Sequence, residues 1–416
     1  MENIERKYDL VKGALVVGVD IAKSEHVAAF WVKEKGVVGK VKFKNDLGGF
    51  QRLVREIDRV CALVGIEKVV LGLEPTAHYW QALAYWWEDH RGTVVLVNPM
   101  NTKRAKELDD NSPLKTDLKD AGVIAWLISE GKFLECRLPR GKYAELRDLV
   151  GQRARCGNLE ARLVNQLRQT VDRIFPELDQ VFANFMSVSC RKFLLKYADP
   201  EVVAKVSIKG LSQELRRWSG GRFGLERAQQ LIELAGKSIG IREGKTAVKA
   251  EIRRLVIQLN ALREERNVIE NEIRSCLKEV PGAGLLLTIP GFGAWTVATI
   301  LARTGDLRNY RHPDQVLKLA GLNLYEISSG KHKGRIRITK RGSGLLRKVL
   351  YMAAFKACRK TSVFHPYYQR LTQSGNTTTS ASVSLMRKLL RMSWAISNKQ
   401  EPFDQAKLYP ALAKAA

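Results

Sequence analysis

Through the first 130 residues the apolar positions follow two alternating rhythms. Ala14–Asp20 (ALVVGVD) and His26–Val32 (HVAAFWV) are short apolar runs that predict strands, with a third near Val37–Phe43. A helical spacing runs from Phe50 to Val64. A buried strand at Val69–Leu73, a helix around Ala77–Glu88 and a strand at Thr93–Val97 follow, and helical spacing resumes after Pro99 and again after Asp117. Three hairpin-like strands leading into alternating helices and strands predict a mixed sheet with helices on its faces.

The rhythm then changes. From about Tyr143 to Phe175 one long helix is predicted, with Leu146, Leu149, Val150, Leu159, Leu163, Val164 and Leu167 on its apolar face. A second runs from about Thr246 to Leu277 through Ile252, Leu255, Val256, Leu259, Leu262, Ile269 and Ile273. Such spacings suit a helical hairpin or an intermolecular coiled coil. Residues 176–240 read as helical without a predictable arrangement. Past Pro281 a Gly-rich basic region reaches about residue 395, and the tail QEPFDQAKLYPALAKAA looks peripheral. The expected fold class is α/β plus α, with boundaries at 1–135, 136–280, 281–400 and 401–416. Val280–Ala302 has no charged residue and is long enough to cross a bilayer, but Pro281, Gly282, Gly284, Pro290, Gly291 and Gly293 break it into short pieces, so no membrane span is expected.

A chain of 416 residues predicts two or three domains, and 45% apolar with 27% charged residues predicts a folded, soluble protein. Charge changes the picture more. Seventy Lys+Arg against 43 Asp+Glu give +27, which points to a polyanionic partner. Residues 1–140 hold 22 basic and 20 acidic side chains, a net of +2, and the remainder holds +25. A near-neutral N-terminal domain therefore precedes a strongly cationic body. The six cysteines stand singly with no CxxC pair, which argues against a zinc knuckle or a thioredoxin-type motif. The charged start MENIERKYDL is not a signal peptide, and reduced cytoplasmic thiols are expected.

Candidate chemistry lies first in carboxylates. Asp20 ends the first strand (VVGVDIAKS), Glu74 ends the later buried strand (VLGLEPTAH), and Asp117 and Asp120 open a helix (LKTDLKDAG) with the i, i+3 spacing that shares one face. Singly, each has an ordinary reading: Asp117 as a helix cap, Asp120 in its first turn, Glu74 as a loop acid. Together, in one βα domain, they are hard oxygen ligands suited to Mg²⁺ or Mn²⁺ and to stabilising charge in phosphoryl transfer.

GVDIAKSEH, LGLEPTAHYW and NPMNTKRAKELDDNSPLKTDLKDAGVIAWL resemble the N-terminal domain of the DEDD transposases, the insertion-sequence one-ten family, over residues 12–130. The resemblance implies an RNase H-like (RuvC-like) fold, as in Holliday-junction resolvases, with Asp20, Glu74, Asp117 and Asp120 as the four acidic positions. Asp109 and Asp110 do not match that pattern.

Thr288–Asp306 (TIPGFGAWTVATILARTGD) has the form of a helix-hairpin-helix element, in which Gly291 and Gly293 let backbone approach a phosphate at a helix N-terminus. A purely structural glycine turn is the plainer reading. Residues 331–350 then carry Lys331, Lys333, Arg335, Arg337, Lys340, Arg341, Arg347 and Lys348 and no acid, a phosphate cradle in prospect. Upstream lie Ser328 and Ser329, before Gly330. A serine before glycine is commonly a turn residue. This segment resembles the transposase domain of the same family, G-L-x-P…S-G…I-x-K-R-G-x-x-x-L-R, whose nucleophilic serine directly precedes the glycine and maps to Ser329. Leu324 stands where the family often has proline, and Ser328 is the adjacent alternative.

AGKS at 235–238 lacks the first glycine of a phosphate loop, since Leu231 takes its place; the six histidines lack metal-ligand spacing, and the eight tryptophans fit core packing. The resemblance implies a transposase that binds Mg²⁺, forms a covalent 5′-phosphoserine link between Ser329 and DNA, acts on donor and target DNA as a homo-oligomer (dimer or tetramer), and is guided by a noncoding bridge RNA. Such an enzyme is expected in a bacterial or archaeal cytoplasm, associated with the nucleoid when active. Two other readings are a resolvase-like nuclease without a covalent intermediate and a noncatalytic nucleic-acid-binding protein.

Overall fold

Leu15–Val19 are fully or almost fully buried in strand β1 (Leu15–Asp20), as continuous apolar runs in covered sheets are. β2 (Glu25–Val32) and β3 (Gly36–Lys44) continue from it as antiparallel neighbours. The computed structural model describes residues 2–110, 117–326, 328–329, 332–334 and 336–408, in two compact units, Met1–Leu138 and Pro139–Ala416.

The first unit opens with α1 (Glu2–Val11), which the sequence reading did not assign. After β3 comes α2 (Leu47–Val64). The Asp46 side chain caps it by accepting the Gly49 N–H at 2.7 Å, and Gly65 ends it in the left-handed conformation, φ +69°. Phe50, Leu53, Ile57 and Val60 make its buried stripe. β4 (Val69–Leu73), α3 (Trp80–His90), β5 (Val94–Leu96), α4 (Pro99–Asp110), α5 (Asp117–Ser129) and β6 (Leu134–Glu135) complete the unit. α3 starts later than the expected Ala77 because Pro75 follows Glu74 and Ala77 itself has φ +51°, outside the helical range. The sheet order is β3-β2-β1-β4-β5-β6, with β1, β4 and β5 parallel and the outer pairs antiparallel. One face packs on α2 and α3 through Phe30, Phe43, Leu53 and Trp87. The other packs on α5 through Ile124, Ala125 and Ile128.

The second unit is helical. α6 (Lys142–Asp172) leads, through a 3₁₀ turn at Pro176–Gln180, to α7 (Val188–Tyr197), α8 (Pro200–Val203), α9 (Ile208–Ser219), α10 (Leu225–Gly236) and then α11 (Lys245–Glu279). α6 and α11 are the two long helices of the sequence reading, and they pack antiparallel: Arg153 pairs with Glu270 at 2.9 Å, Arg266 with Glu160, and Gln166 with Glu251. Residues 176–240, which pattern alone could not arrange, fold over the inner ends of these helices around Phe182, Phe193, Leu211 and Leu231.

The outer ends of the same two helices join a second core with α12 (Ala283–Leu287), α13 (Ala294–Thr304), α14 (Pro313–Ala320), short strands β7 (Leu324–Tyr325), β8 (Ser328–Ser329), β9 (His332–Lys333) and β10 (Arg337–Ile338), and α15 (Gly344–Ala357), α16 (His365–Gln373) and α17 (Thr378–Lys399). Regions 136–280 and 281–400 thus share one compact unit from Pro139 onward, because α6 and α11 run through both cores. The tail is less peripheral than expected. Phe403 packs against Phe364, with ring centroids 5.8 Å apart, and its N–H donates to Thr288 Oγ1 at 2.8 Å. Val280–Ala302 is divided between α12 and α13, and no helix among the described residues is long and apolar enough to cross a membrane.

Candidate active site

Asp20 and Glu74 are brought side by side by strand register. β1 and β4 are parallel with Val19 opposite Leu73, so the next residues, Asp20 and Glu74, leave the carboxyl ends of neighbouring strands together. The carboxyl edge of such strands is where open α/β sheets bind ligands. Asp120 reaches the same edge from the first turn of α5. These three carboxylates, with Ile21, Ala22, Glu25, Val27, Thr76 and Lys106, line one cavity of about 350 Å³.

Two glycines set the height of α5 above the sheet, and the sequence reading missed both. Gly18 of β1 lies opposite Gly72 of β4. A Cβ on Gly18 would fall 2.3 Å from the Ala125 nitrogen and 2.5 Å from the Ala121 carbonyl oxygen; one on Gly72 would fall 2.2 Å from Ile128 Cδ1. The helix therefore sits directly on strand backbone, and Ala121, one residue past Asp120, is completely buried there. The signal was present as two glycines inside buried apolar strands, which mark close backbone approach.

Asp120 is 5% exposed. One of its oxygens, Oδ2, lies 2.5 Å from Lys106 Nζ, and the other, Oδ1, is buried without a hydrogen-bond partner. An orphaned oxygen on a carboxylate that helps to line an acidic cavity fits a hard divalent cation, which takes oxygen ligands. Among the described residues, no three acidic, histidine or cysteine side chains already stand in a ligating group. Asp117 is the first residue of α5, but its side chain lies outside the described residues.

His26, one of the histidines without metal-ligand spacing, is a core residue beside the site. It is completely buried, its ring edge-on to Phe43 at 5.3 Å, and its Nδ1 accepts the Ala22 N–H at 3.2 Å. That bond fixes the turn by which the chain leaves Asp20. Burial favours the neutral ring and lowers its pKa below 6.5, against a smaller opposing effect of the Asn45 hydrogen bond.

In the second unit, the segment read as a helix-hairpin-helix element comprises α12, a turn through Pro290–Gly293 and α13. Gly291 has φ +87°, while Gly293 precedes α13 in extended backbone; a Cβ on either would meet nothing within 4 Å. Gly291 is thus required by conformation and Gly293 by neither conformation nor packing. Ser328 and Ser329 lie in β8, which pairs with β9 so that Ser329 is opposite His332. The side chains of Ser328, Ser329 and Lys333, together with Lys331 and Arg335, lie outside the described residues.

The remaining cations separate into two kinds. Arg337, Lys340, Arg341 and Lys348 are exposed. Arg347 is committed to the fold: its Nη1 donates to the Ala320 and Gly342 carbonyls at 3.0 Å each, beneath the turn where Lys340 adopts φ +53°. Beyond the predicted patch, Lys388 and Arg370 both stand over the Tyr367 ring, at 4.1 and 5.4 Å.

A DEDD-type IS110 model described as a transposase matches residues 17–176, and the model for the transposase IS116/IS110/IS902 family matches residues 283–369. An insertion element IS116 protein of Streptomyces clavuligerus is 28% identical over 296 residues, 70% of this chain and 73% of its own length. An insertion element IS110 protein of Streptomyces coelicolor is 25% identical over 287 residues, 68% of this chain and 70% of its own. The pilin gene-inverting protein of Moraxella bovis is 23% identical over 399 residues, covering 94% of this chain and 97% of its own. Transposase models match both ends of the chain and together cover more than half of it, with the two strand-end acids and the helix-borne pair inside the first match: the chain belongs to the IS110 family of DEDD transposases, enzymes that cleave and rejoin DNA.

Proposed function

We propose that the cavity between β1, β4 and α5 is the metal-binding site of a DNA recombinase, and that Ser329 is its nucleophile. The observation that carries the first part is the convergence of Asp20, Glu74 and Asp120 on one cavity, with Asp120 Oδ1 buried and unpartnered. Asp20, Glu74 and Asp120, joined by Asp117 from the same turn, would hold Mg²⁺ or Mn²⁺. A bound divalent cation supplies charge neutralisation and polarisation at a scissile phosphate. The mixed sheet, with antiparallel strands leading into parallel ones, supports an RNase H-like domain, and the antiparallel α6–α11 pair supports a helical region available for self-association.

Ser329 Oγ bonds to the phosphorus of a DNA phosphodiester while the bond to the 3′ oxygen breaks. The serine proton leaves to solvent or a neighbouring base, and the 3′ oxygen takes one up. The product is a 5′-phosphoserine link and a free 3′-hydroxyl, and reversal with a different 3′-hydroxyl rejoins the strands. Exposed Arg337, Lys340, Arg341 and Lys348, with Lys331, Lys333 and Arg335, neutralise the surrounding phosphates. Gly291 and Gly293 give α13 an open N-terminus for one more. The family resemblance supports a homo-oligomer that uses donor and target DNA and a noncoding bridge RNA as the guide.

The test combines the purified protein, the element's candidate RNA and donor and target DNA with Mg²⁺. Ser329→Ala should abolish the covalent protein–DNA adduct on denaturing gels and leave nucleic-acid binding nearly intact. Asp20→Asn should abolish the adduct as well, and Ser328→Ala should retain it. Full recombination by a double serine variant would replace this mechanism with nuclease-type cleavage by water.

A further inference from the structure

Lys106 projects into the carboxylate cavity, and none of the roles above accounts for it. It belongs to α4, which packs on α5 and is held by buried Thr102 and Ala105, and whose start is fixed by Asn98 accepting the Met100 N–H at 2.9 Å. One turn beyond Thr102, the Lys106 ammonium reaches Asp120 Oδ2 at 2.5 Å while its side chain remains 30% exposed. Among the described residues lining the cavity, Lys106 is the one cation against Asp20, Glu25, Glu74 and Asp120, and Glu25 at the rim pairs with Lys42 at 4.0 Å.

We propose that Lys106 is a tethered counter-ion of this site, which holds Asp120 through Oδ2 in the metal-free protein and competes with the divalent cation for the charge of the same carboxylate. Clustered carboxylates repel, and a nearly buried one is costly to leave without a positive partner. An ammonium on a flexible four-carbon stem meets that need reversibly, because it can retreat toward solvent when a stronger cation arrives. Lys106 is therefore a positioning residue acting through Asp120, and displaced, it remains at the mouth of the cavity where a phosphate would enter. The inference rests on the reading of the carboxylates as a metal site.

Two readouts separate it from a merely structural ion pair. In Lys106→Met, thermal unfolding without metal should occur at lower temperature than in wild type. Mn²⁺ titrated into the same full-length variant should bind about tenfold more tightly, since a competing unit charge within about 4 Å has gone. Lys106→Arg should retain near-wild-type metal-free melting. Lys106→Gln carries the titration if the Met variant does not fold. Unchanged or weaker Mn²⁺ affinity in Lys106→Met or Lys106→Gln would overturn the inference, since loss of a structural contact would misplace Asp120 and weaken binding. Mn²⁺ uptake by wild type that survives Asp120→Asn unchanged would instead overturn the carboxylate reading itself, and the inference with it.

Discussion

Replacing Gly18 with alanine adds one methyl group at the point where β1 meets α5. That methyl would lie 2.3 Å from the Ala125 nitrogen, 2.5 Å from the Ala121 oxygen and 2.8 Å from the Ala125 Cα. All three atoms are helix backbone, so no side chain can rotate away and α5 must retreat by about 1 Å to restore ordinary contact. Overpacking costs about 1–3 kcal/mol where side chains can adjust, and the rigid contact here belongs at the upper end, about 3 kcal/mol. Gly122 supplies the control on the same helix. A Cβ there meets Val37 Cγ2 at 3.7 Å, an ordinary contact, so Gly122→Ala should gain about 0.5–1 kcal/mol from helix propensity. Hydrogen exchange read by mass spectrometry on α5 peptides distinguishes the two. Gly18→Ala should lose protection about a hundredfold, because 1.4 kcal/mol is a factor of about ten, while Gly122→Ala should gain it. Metal binding should fail in Gly18→Ala as well, since ligand positions matter to about 0.2 Å. Wild-type protection in Gly18→Ala, or equal losses in both variants, would refute the claim that these glycines set the height of the helix.

Three further outcomes are expected. Burial holds the His26 pKa below its unfolded 6.5, so its stabilisation of the first unit is complete above that pH and is lost as pH falls below it; denaturant midpoints at pH 7.5 and 5 should differ more in wild type than in His26→Leu. Glu160, 4% exposed, lies between Arg263 at 3.2 Å and Arg266, so Glu160→Gln leaves two guanidiniums under-compensated and should cost about 3 kcal/mol in urea unfolding. Arg347→Ala should lower thermal stability by about 2 kcal/mol through the two lost carbonyl contacts, whereas Lys348→Ala should leave melting unchanged and flatten the salt dependence of nucleic-acid binding by about one phosphate.

The acids at the strand ends were legible because a β-run that stops at a carboxylate marks both an element boundary and a polar group at the sheet edge. Asp20 and Glu74 needed only parallel pairing of their strands to meet. α6 and α11 were legible for a similar reason, since their apolar spacing persists for many turns. Lys106 was not legible. It meets Asp120 across two helices whose packing depends on Ala105, Ala121 and the glycines beneath them, and no local pattern encodes that approach. Arg347 failed in the opposite direction. A run of cations announces a polyanion, but which member turns inward depends on free carbonyls at Ala320 and Gly342, created by a turn the charge pattern does not reveal. α3 began late for a backbone reason, the left-handed Ala77, where side-chain periodicity alone still reads as helix.

Charge distribution adds a constraint on how the proposed metal site and the cationic region work. The first unit is nearly neutral overall, and the cavity it offers to a phosphate is lined by four acids and one lysine. Phosphate does not approach such a surface spontaneously. If the +25 carried from residue 141 onward supplies the attraction, nucleic-acid affinity and its steep salt dependence should belong to the helical unit, and an isolated 1–140 fragment should bind far more weakly than the whole chain. A divalent cation bound among the carboxylates would then invert the local sign. On this reading, metal should change the yield of strand cleavage far more than the affinity for nucleic acid. Binding curves measured with Mg²⁺ and with chelator at matched ionic strength should nearly coincide while adduct formation differs by orders of magnitude. A large affinity loss in chelator would mean that the carboxylate cavity, and not the cationic body, holds the substrate.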